Sequence, residues 1–331
     1  MPLHDTSYQH WDGVHLGIWG RRLVIARNGI TSCLQIKGMR QVATSCWISA
    51  LLMAALLFLT GQLLVADSLV VRWIGGLNPN LQTFAHLLSV WLEQHPEISV
   101  RNTQNVVFYY FCTLLLRVSI FTLGMIMPIL ITRDLASNAI IIYSSKAVNR
   151  GDYLLGKFAT AFGMIAITWL GPICAAWLVG NLLAPDWRFF WHSRAAIAHV
   201  LLFGTVAMSF LSLLALGVSS ISSKEKSTPG IWITWWIIGG IIAPIATQTL
   251  PWLRHLSFNY DLEQIAIGVF RIGDDIKTAQ DNIPVLGELL RGIRADTIAA
   301  LNSPTMSGAI FAMIVMGGAA AWVIAKRVKP E

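Results

Sequence analysis

Six long apolar runs dominate this sequence, and they limit what the chain can fold into. Each run carries at most one charged residue and reaches the roughly 20 residues that a helix needs to cross a bilayer. The whole chain of 331 residues is 55% hydrophobic and only 12% charged, whereas a soluble domain carries about a quarter charged residues. We therefore predict an all-α polytopic membrane protein whose transmembrane domain, 43–325, holds six transmembrane helices. The predicted spans are 43–66, 106–132, 158–183, 196–221, 231–250 and 304–325.

The charges between the runs predict the side of the membrane on which each connection lies. Lys and Arg are concentrated in the N-terminal lead, in the connections after the second and fourth runs, and in the tail at 326–331. Because basic connections stay on the cytoplasmic side, we predict a plasma (inner) membrane protein with both termini in the cytoplasm. The segments at 67–105 and 251–303 become external loops with short helices. The net charge of +7 then reflects topology and contact with membrane lipid rather than nucleic-acid binding.

The N-terminal segment, 1–42, predicts a polar tail followed by an amphipathic helix on the membrane surface. Apolar residues recur at helical intervals on one side, and basic residues lie on the other. A basic helix with Trp on its apolar side lies along a membrane rather than across it. We expect Gly29 to bend this helix. The residues that define it are Trp19, Arg21, Arg22, Leu23 and Ile30.

The connection at 133–157 is polar and basic, and its pattern is too ordered for a plain linker. It reads RDLASNAIIIYSSKAVNRGDYLLGK. Asp134 can cap a short helix that runs through Ala139 to Tyr143, and Asn149 or Asp152 can start the next helix. We interpret this connection as the contact for a cytoplasmic partner. The residues assigned to that contact are Arg133, Asp134, Leu135, Tyr143, Lys146, Arg150, Asp152, Tyr153, Gly156 and Lys157.

The apolar runs contain two kinds of exception. Arg117 is a charge near the middle of the second run. Such an Arg costs on the order of 2.5–3.5 kcal/mol on insertion scales, so its side chain should face protein or water. It either lines a pathway or an interface between two subunits, or it snorkels outward or pairs within the bundle. The second exception is proline inside spans, at Pro128, Pro172 and Pro244, and each is expected to mark a kink.

Motifs for catalysis and nucleotide binding do not emerge from the sequence. The segment Gly151–Lys157 satisfies most of the phosphate-loop pattern, but Phe158 stands where Ser or Thr should hold magnesium. His192 and His199 share a helical face, for which packing is the simpler interpretation. The four cysteines form no Cys-x-x-Cys pair and predict neither a disulfide framework nor a metal site. We therefore predict that this chain is not an enzyme and binds no cofactor itself.

The connection at 133–157 and the arrangement of spans together resemble the permease subunits of ABC exporters of the ABC-2 type. The resemblance covers nearly the whole chain, including the surface helix before the first span. Asn138 departs from the family pattern, where Gly is usual, and so does Ala147, where Pro is usual. The residues that carry the resemblance are Arg133-Asp134-Leu135, Ala139-Ile140, Tyr143-Ser144, Arg150, Asp152-Tyr153-Leu154 and Gly156-Lys157, with Leu256-Ser257, Leu262, Ile265 and Gly268-Val269 in the last loop.

The resemblance implies a half-transporter. Two permeases, identical or different, would pair, and separate ABC ATPase subunits that hold ATP and magnesium would bind beneath them. The surface helix and the connection at 133–157 would take up the ATP-driven movement. Two alternatives stay open, a membrane anchor or scaffold of a larger complex and an ion-coupled carrier. All seventeen acidic residues lie outside the apolar runs, which disfavours proton or sodium coupling.

Overall fold

Helices account for the regular structure of the part of the chain that the structure describes. The computed structural model describes residues 17–63, 72–73, 76, 86, 89–90, 94–139, 149–184, 187–282 and 305–328. Within these residues every regular element is a helix, and none is a strand. The prediction of an all-α chain is confirmed.

Eleven α-helices are numbered here in chain order, with the π-helical and 3-10 segments named by their residues. They are α1 Ile18–Gln35, α2 Lys37–Leu63, α3 Pro96–Met127, the π segment Pro128–Thr132, α4 Arg133–Ala136, α5 Arg150–Ile165, the π segment Ala166–Leu170, α6 Gly171–Leu182, α7 Arg188–Ile221, α8 Ser227–Thr249, the 3-10 segment Pro251–Leu256, α9 Phe258–Phe270, α10 Ile272–Asn282 and α11 Met306–Arg327, as found in the described residues.

Five helical stretches of the described chain are long and apolar enough to cross a membrane. The predicted fifth span falls in α8, which is helical over 23 residues, but its described apolar portion, Ser227–Ile242, is shorter than a full span. The described residues therefore support a polytopic membrane protein, and the number six stays a prediction. The five stretches are Lys37–Gln62, Val100–Ala136, Arg150–Leu182, Phe189–Ile221 and Met306–Arg327.

Two of the three prolines lie beside a widened helical turn. Pro128 opens one π segment, and Pro172 follows the other. In a π-helix the carbonyl of Ile167 would accept from the amide five residues later, and that residue is a proline without an N–H. The indole Nε1 of Trp47 donates to this carbonyl instead, at 3.1 Å. A side chain of the first span thus satisfies a backbone group that proline leaves open in the third.

Helix α3 lies at the centre of the bundle. Two fully buried indoles donate to its backbone: Trp169 Nε1 to the Cys112 carbonyl at 2.9 Å and Trp232 Nε1 to the Ile120 carbonyl at 2.8 Å. Tryptophan combines a large apolar surface with one donor, which must find an acceptor when it is buried. The third and fifth predicted spans are thereby fixed to the second.

A single residue with extended backbone separates helix α1 from α2. The helix continues through Gly29 and ends at Gln35, and the extended backbone of Ile36, with ψ 119°, separates it from α2. The helix is thus unbroken at Gly29, and the bend expected there stays a prediction. Gly29 instead faces α5, where a Cβ would collide with the side chain of Thr160. Its lack of a side chain lets α1 pack closely against α5.

Short helices follow α8, as expected for the segment at 251–303. The 3-10 segment leads into α9, whose Leu262, Ile265 and Phe270 are buried, and α10 follows directly. Asn80, in the other predicted external loop, lies outside the described residues, as does most of 67–93. Helix α3 begins at Pro96, ten residues before the predicted span, because polar residues extend the helix beyond its apolar part.

Candidate functional site

The two ends of the connection at 133–157 meet at one end of the bundle. The structure describes 133–139 and 149–157, so Tyr143 and Lys146 lie outside the described residues, as does most of the short helix predicted to end at Tyr143. The described residues on both sides make specific contacts with other helices. These contacts define the candidate site.

Asp134 joins the second span to the third. It lies in the short helix α4, and its Oδ2 accepts a hydrogen bond from the Tyr153 hydroxyl at 2.7 Å and pairs with Lys157 Nζ at 2.7 Å. Lys157 Nζ also donates to the Ile129 carbonyl at 2.9 Å. We name Asp134, Tyr153 and Lys157 the Asp134 cluster. The predicted role of Asp134 was a helix cap, whereas the bonds described for its carboxylate run to the next span.

A second ion pair fixes the surface helix to the start of the third span. Arg22 Nε lies 2.6 Å from Asp152 Oδ1, and the two side chains are 25% and 4% exposed. Asp152 is in the first turn of α5, where the helix dipole also stabilises a carboxylate. The Arg22 guanidinium lies 4.7 Å from the Trp19 ring centroid. The prediction that Arg22 lies opposite the apolar side is wrong, because Arg22 faces α5 beside Trp19.

Small residues of α5 bring α1 close enough for this pair to form. A Cβ on Gly156 would stand 2.6 Å from Ile25 Cγ2, and one on Gly163 would stand 2.7 Å from Ile30 Cδ1. Thr160, between them on the same side of the helix, approaches Gly29. Such a row of small residues lets two helix backbones approach closely in a membrane protein. Gly156 therefore acts in the site through its lack of a side chain.

Two arginines extend the site to the remaining helices. Arg150 Nη2 donates to the carbonyls of Ile324 and Ala325, at 3.1 and 2.8 Å, near the end of α11. A cation is favourable there, because the helix dipole places partial negative charge on the last carbonyls of a helix. Arg133 Nε lies 3.0 Å from Glu225 Oε2 in the connection between α7 and α8, and both side chains are about half exposed, so this pair adds little stability.

These contacts place the basic connections at one end of the bundle, which we name the basic end. The connection after α4, the connection before α8 and the end of α11 all meet there. The alternation of charges along the sequence predicted this grouping. The side of the membrane that the basic end faces stays a prediction.

The apolar residues of the surface helix divide into two groups. Trp19 is 78% exposed and Leu23 is 70% exposed, as a helix lying in the membrane surface requires. Ile30, on the same side, packs against the core, as does Leu135 after the second span. Arg21 is partly buried. The stripe read from the sequence therefore faces outward at its start and the bundle at its end.

Arg117 lies on an exposed strip of the central helix. Tyr110, Leu114 and Phe121, at helical spacing from it, are 59%, 56% and 43% exposed, and Arg117 is exposed with them. Within the described residues the structure records no ion pair for Arg117. Pairing inside the bundle, one of the two original alternatives, therefore finds no support. We name these four residues the Arg117 face.

The sequence analysis did not predict the buried cluster of hydroxyl groups that lies next to Arg133. Ser219 Oγ accepts hydrogen bonds from the amides of Ile131 and Thr132, at 2.9 and 3.2 Å, and donates to the Met127 carbonyl at 2.9 Å. Thr132 Oγ1 donates to the Ser219 carbonyl at 2.8 Å and lies 3.2 Å from Thr228 Oγ1. These bonds satisfy the backbone of the π segment after Pro128. A proline followed by hydroxyl residues near span ends was the available signal.

Comparison with known proteins leaves the family open. No family model matches this chain, and no curated protein matches it. The resemblance to ABC-2 permeases consequently depends on the sequence pattern, and the family assignment is carried forward as a proposal.

Proposed function

We propose that this chain is the transmembrane permease subunit of an ABC exporter of the ABC-2 type. It would span the membrane six times, pair with a second permease, and bind a separate ATPase subunit at the basic end, which would face the cytoplasm. ATP and magnesium would be held by that ATPase. The connection at 133–157 and helix α1 would together receive the ATPase movement.

The network of contacts at the basic end is the observation that carries this proposal. A permease without a nucleotide site must receive work through a contact stiff enough to transmit a displacement. The Asp134 cluster joins the second and third spans, Arg22–Asp152 adds the surface helix, and Arg150 adds the last helix. A displacement applied to this connection would therefore reach several spans at once.

The Arg117 face supports pairing with a second permease. An exposed Arg at the middle of a span costs several kcal/mol in lipid, roughly 2.5–3.5 on insertion scales. Contact with a second permease, or with a water-filled route between two permeases, would remove that cost. The adjacent Tyr110 and Phe121 offer the aromatic surface that is typical of interface centres.

The Arg22–Asp152 pair offers a direct test of the coupling role. We expect the tagged chain, isolated from its native membranes, to carry an ATPase subunit with both nucleotide-binding motifs. Arg22→Asp and Asp152→Arg each break a partly buried charged contact, worth about 1.5–3 kcal/mol, and each should weaken ATPase recovery about tenfold. The double exchange restores opposite charges and should regain recovery. ATPase recovery and ATP hydrolysis per recovered complex are the measurements.

Arg27→Asp is the matched control for this experiment. Arg27 is an exposed residue of the same helix, so the variant makes the same charge change away from Asp152 and should leave recovery unchanged. Isolation of a stable complex that contains no ATPase would contradict the proposal and favour the scaffold alternative. Normal hydrolysis and recovery in both single variants would instead remove the coupling role from this contact.

A further inference from the structure

A polar cavity lies at the end of the bundle opposite the basic end. It has a volume of about 550 Å³, which falls within the range of small-molecule sites. Its wall is formed by the start of α3, by α7, by the junction of α9 and α10, and by the first residue of α11. Asn105 in this wall and Arg133 at the basic end are 28 residues apart, about 40 Å along one continuous helical span. We name this polar cavity the outer cavity.

Hydrogen bonds from one buried residue, Asn105, hold several groups in the wall of the outer cavity in place. Asn105, only 3% exposed, donates through Nδ2 to the Phe270 carbonyl at 2.5 Å and to the Asp275 carboxylate. Its Oδ1 lies 2.9 Å from His199 Nδ1, and because an amide oxygen only accepts, His199 is the donor. Asn105 therefore orients both Asp275 and His199 within the wall.

Arg271 reaches the outer cavity from a backbone conformation that favours glycine. It joins α9 to α10 with φ 52° and ψ 42°, in the left-handed region that costs energy for a residue with a Cβ. Its amide donates to the Ile267 carbonyl at 2.9 Å, and its carbonyl accepts from the Asp274 amide at 3.0 Å. Glycine would make the same turn without strain, so the presence of Arg indicates a use for the guanidinium.

The wall offers charges of both signs without pairing them. Arg101 and Arg271 line the cavity together with Asp274 and Asp275, and within the described residues no ion pair joins these arginines to these aspartates. The amide Nδ2 of Asn102, also in the wall, is buried and has no hydrogen-bond partner among the residues that the structure describes. A buried donor without an acceptor is costly and calls for a bound group.

We propose that the outer cavity binds a small zwitterion that carries a primary ammonium and an anionic oxygen group. The guanidinium groups of Arg101 and Arg271 and the Asn102 amide hold the carboxylate or phosphate, since these donors match its oxygens. Asp274 and Asp275 hold the ammonium. A free amino acid and the phosphoethanolamine headgroup of a lipid share this chemistry. The proposal goes beyond the coupling role and does not depend on it.

The test uses the full chain, purified in detergent, and follows its thermal unfolding midpoint, Tm. The probes are L-alanine, O-phosphoethanolamine, inorganic phosphate and ethylamine, and a further arm compares nanodiscs of phosphatidylethanolamine with nanodiscs of phosphatidylcholine. We expect a saturable rise in Tm with one or both soluble zwitterions, or with the phosphatidylethanolamine nanodiscs alone if the ligand is a lipid headgroup. Phosphate and ethylamine, each carrying half of the chemistry, should not produce it.

Two variants separate binding from folding. Arg271→Gly removes the guanidinium while relieving the strained backbone, so it should keep or raise the Tm of the free chain and abolish the ligand-induced rise. Asp275→Asn keeps an acceptor for Asn105 and should weaken zwitterion binding at least about tenfold, the loss of one charged contact. Lys277→Gln is the control, because Lys277 is an exposed residue of the same helix outside the cavity wall.

Two results would overturn the proposal. One is the absence of any Tm rise with every zwitterion and with both nanodiscs. The other is an equal rise with phosphate alone that survives Asp275→Asn, which would make the cavity a simple anion site. Retention of the zwitterion effect in Arg271→Gly would likewise remove the assigned role of its guanidinium.

Discussion

One buried carboxylate and one partly buried carboxylate lie in the short helices outside the spans. Asp261 is fully buried, with His255 Nδ1 2.5 Å from its Oδ1, and Asp275 is held by Asn105. Burial raises the pKa of each to about 6, against the lowering effect of His255 on Asp261 and of Asn105 and Arg101 on Asp275. Because the folded chain binds these protons more tightly than the unfolded chain, its stability falls as the pH rises from about 4 to 6.

Replacement of Asp275 should reduce this pH dependence. The wild-type free energy of unfolding should fall between pH 4 and 6, and Asp275→Asn should remove a part of that fall worth roughly 1–3 kcal/mol, because Asn has no proton to lose. Tm measured across pH 4 to 7 is the readout. Glu225→Gln, half exposed at the basic end, is the control. An unchanged slope in Asp275→Asn would show that another group carries the effect.

The packing of α1 on α5 depends on the absence of a side chain at Gly156. The side chain of Ile25 occupies the space left by Gly156, and the Arg22 carbonyl lies 3.4 Å from where its Cβ would stand. Gly151, the second residue of the same helix, has no described atom within 4 Å of where its Cβ would stand. The same substitution at these two glycines should therefore have opposite effects.

Gly156→Ala should separate α1 from α5, and Gly151→Ala should not. The added methyl at 156 meets Ile25 Cβ at 2.7 Å, a position that a rotamer change cannot clear, and overpacking of this kind costs about 1–3 kcal/mol. Gly151→Ala should instead stabilise the helix by roughly 0.5–1 kcal/mol, since Ala loses less backbone entropy. Tm and protease sensitivity of α1 measure both. Equal Tm values for the two variants would contradict this packing.

At the scale of the whole molecule, the proposed function predicts that the Arg117 face joins two copies of this chain. In a version with the four native cysteines replaced, Leu114→Cys should form a disulfide-linked pair in the membrane, because Leu114 lies in the centre of that face. Phe311→Cys, 70% exposed on α11, serves as the comparison and should give far less. Arg117→Leu should keep expression intact, because it removes the insertion cost. A lack of any cross-link at position 114 would count against this interface.

The sequence determined the properties that depend on short stretches of chain. Hydropathy over windows of about 20 residues predicted the membrane-length helices, periodicity predicted the surface helix, and the spacing of Lys and Arg predicted that the basic connections share one end. The sequence also singled out Asp134, Asp152, Tyr153, Gly156 and Lys157 as a group. It assigned Asp134 to a local cap, because capping is the role that a local pattern can predict.

The tertiary structure decided which of these residues meet. Arg22 and Asp152 are separated by 130 positions, Arg150 and Ile324 by 174, and Asn105 and Phe270 by 165. Such pairs depend on which helices are neighbours and on the side that each presents, and helix packing sets both through close approach at residues such as Gly156. The outer cavity likewise exists only because four separate parts of the chain converge there. Local propensity carries no information about that convergence, so the sequence alone assigned His199 to packing and gave Asn105 no role.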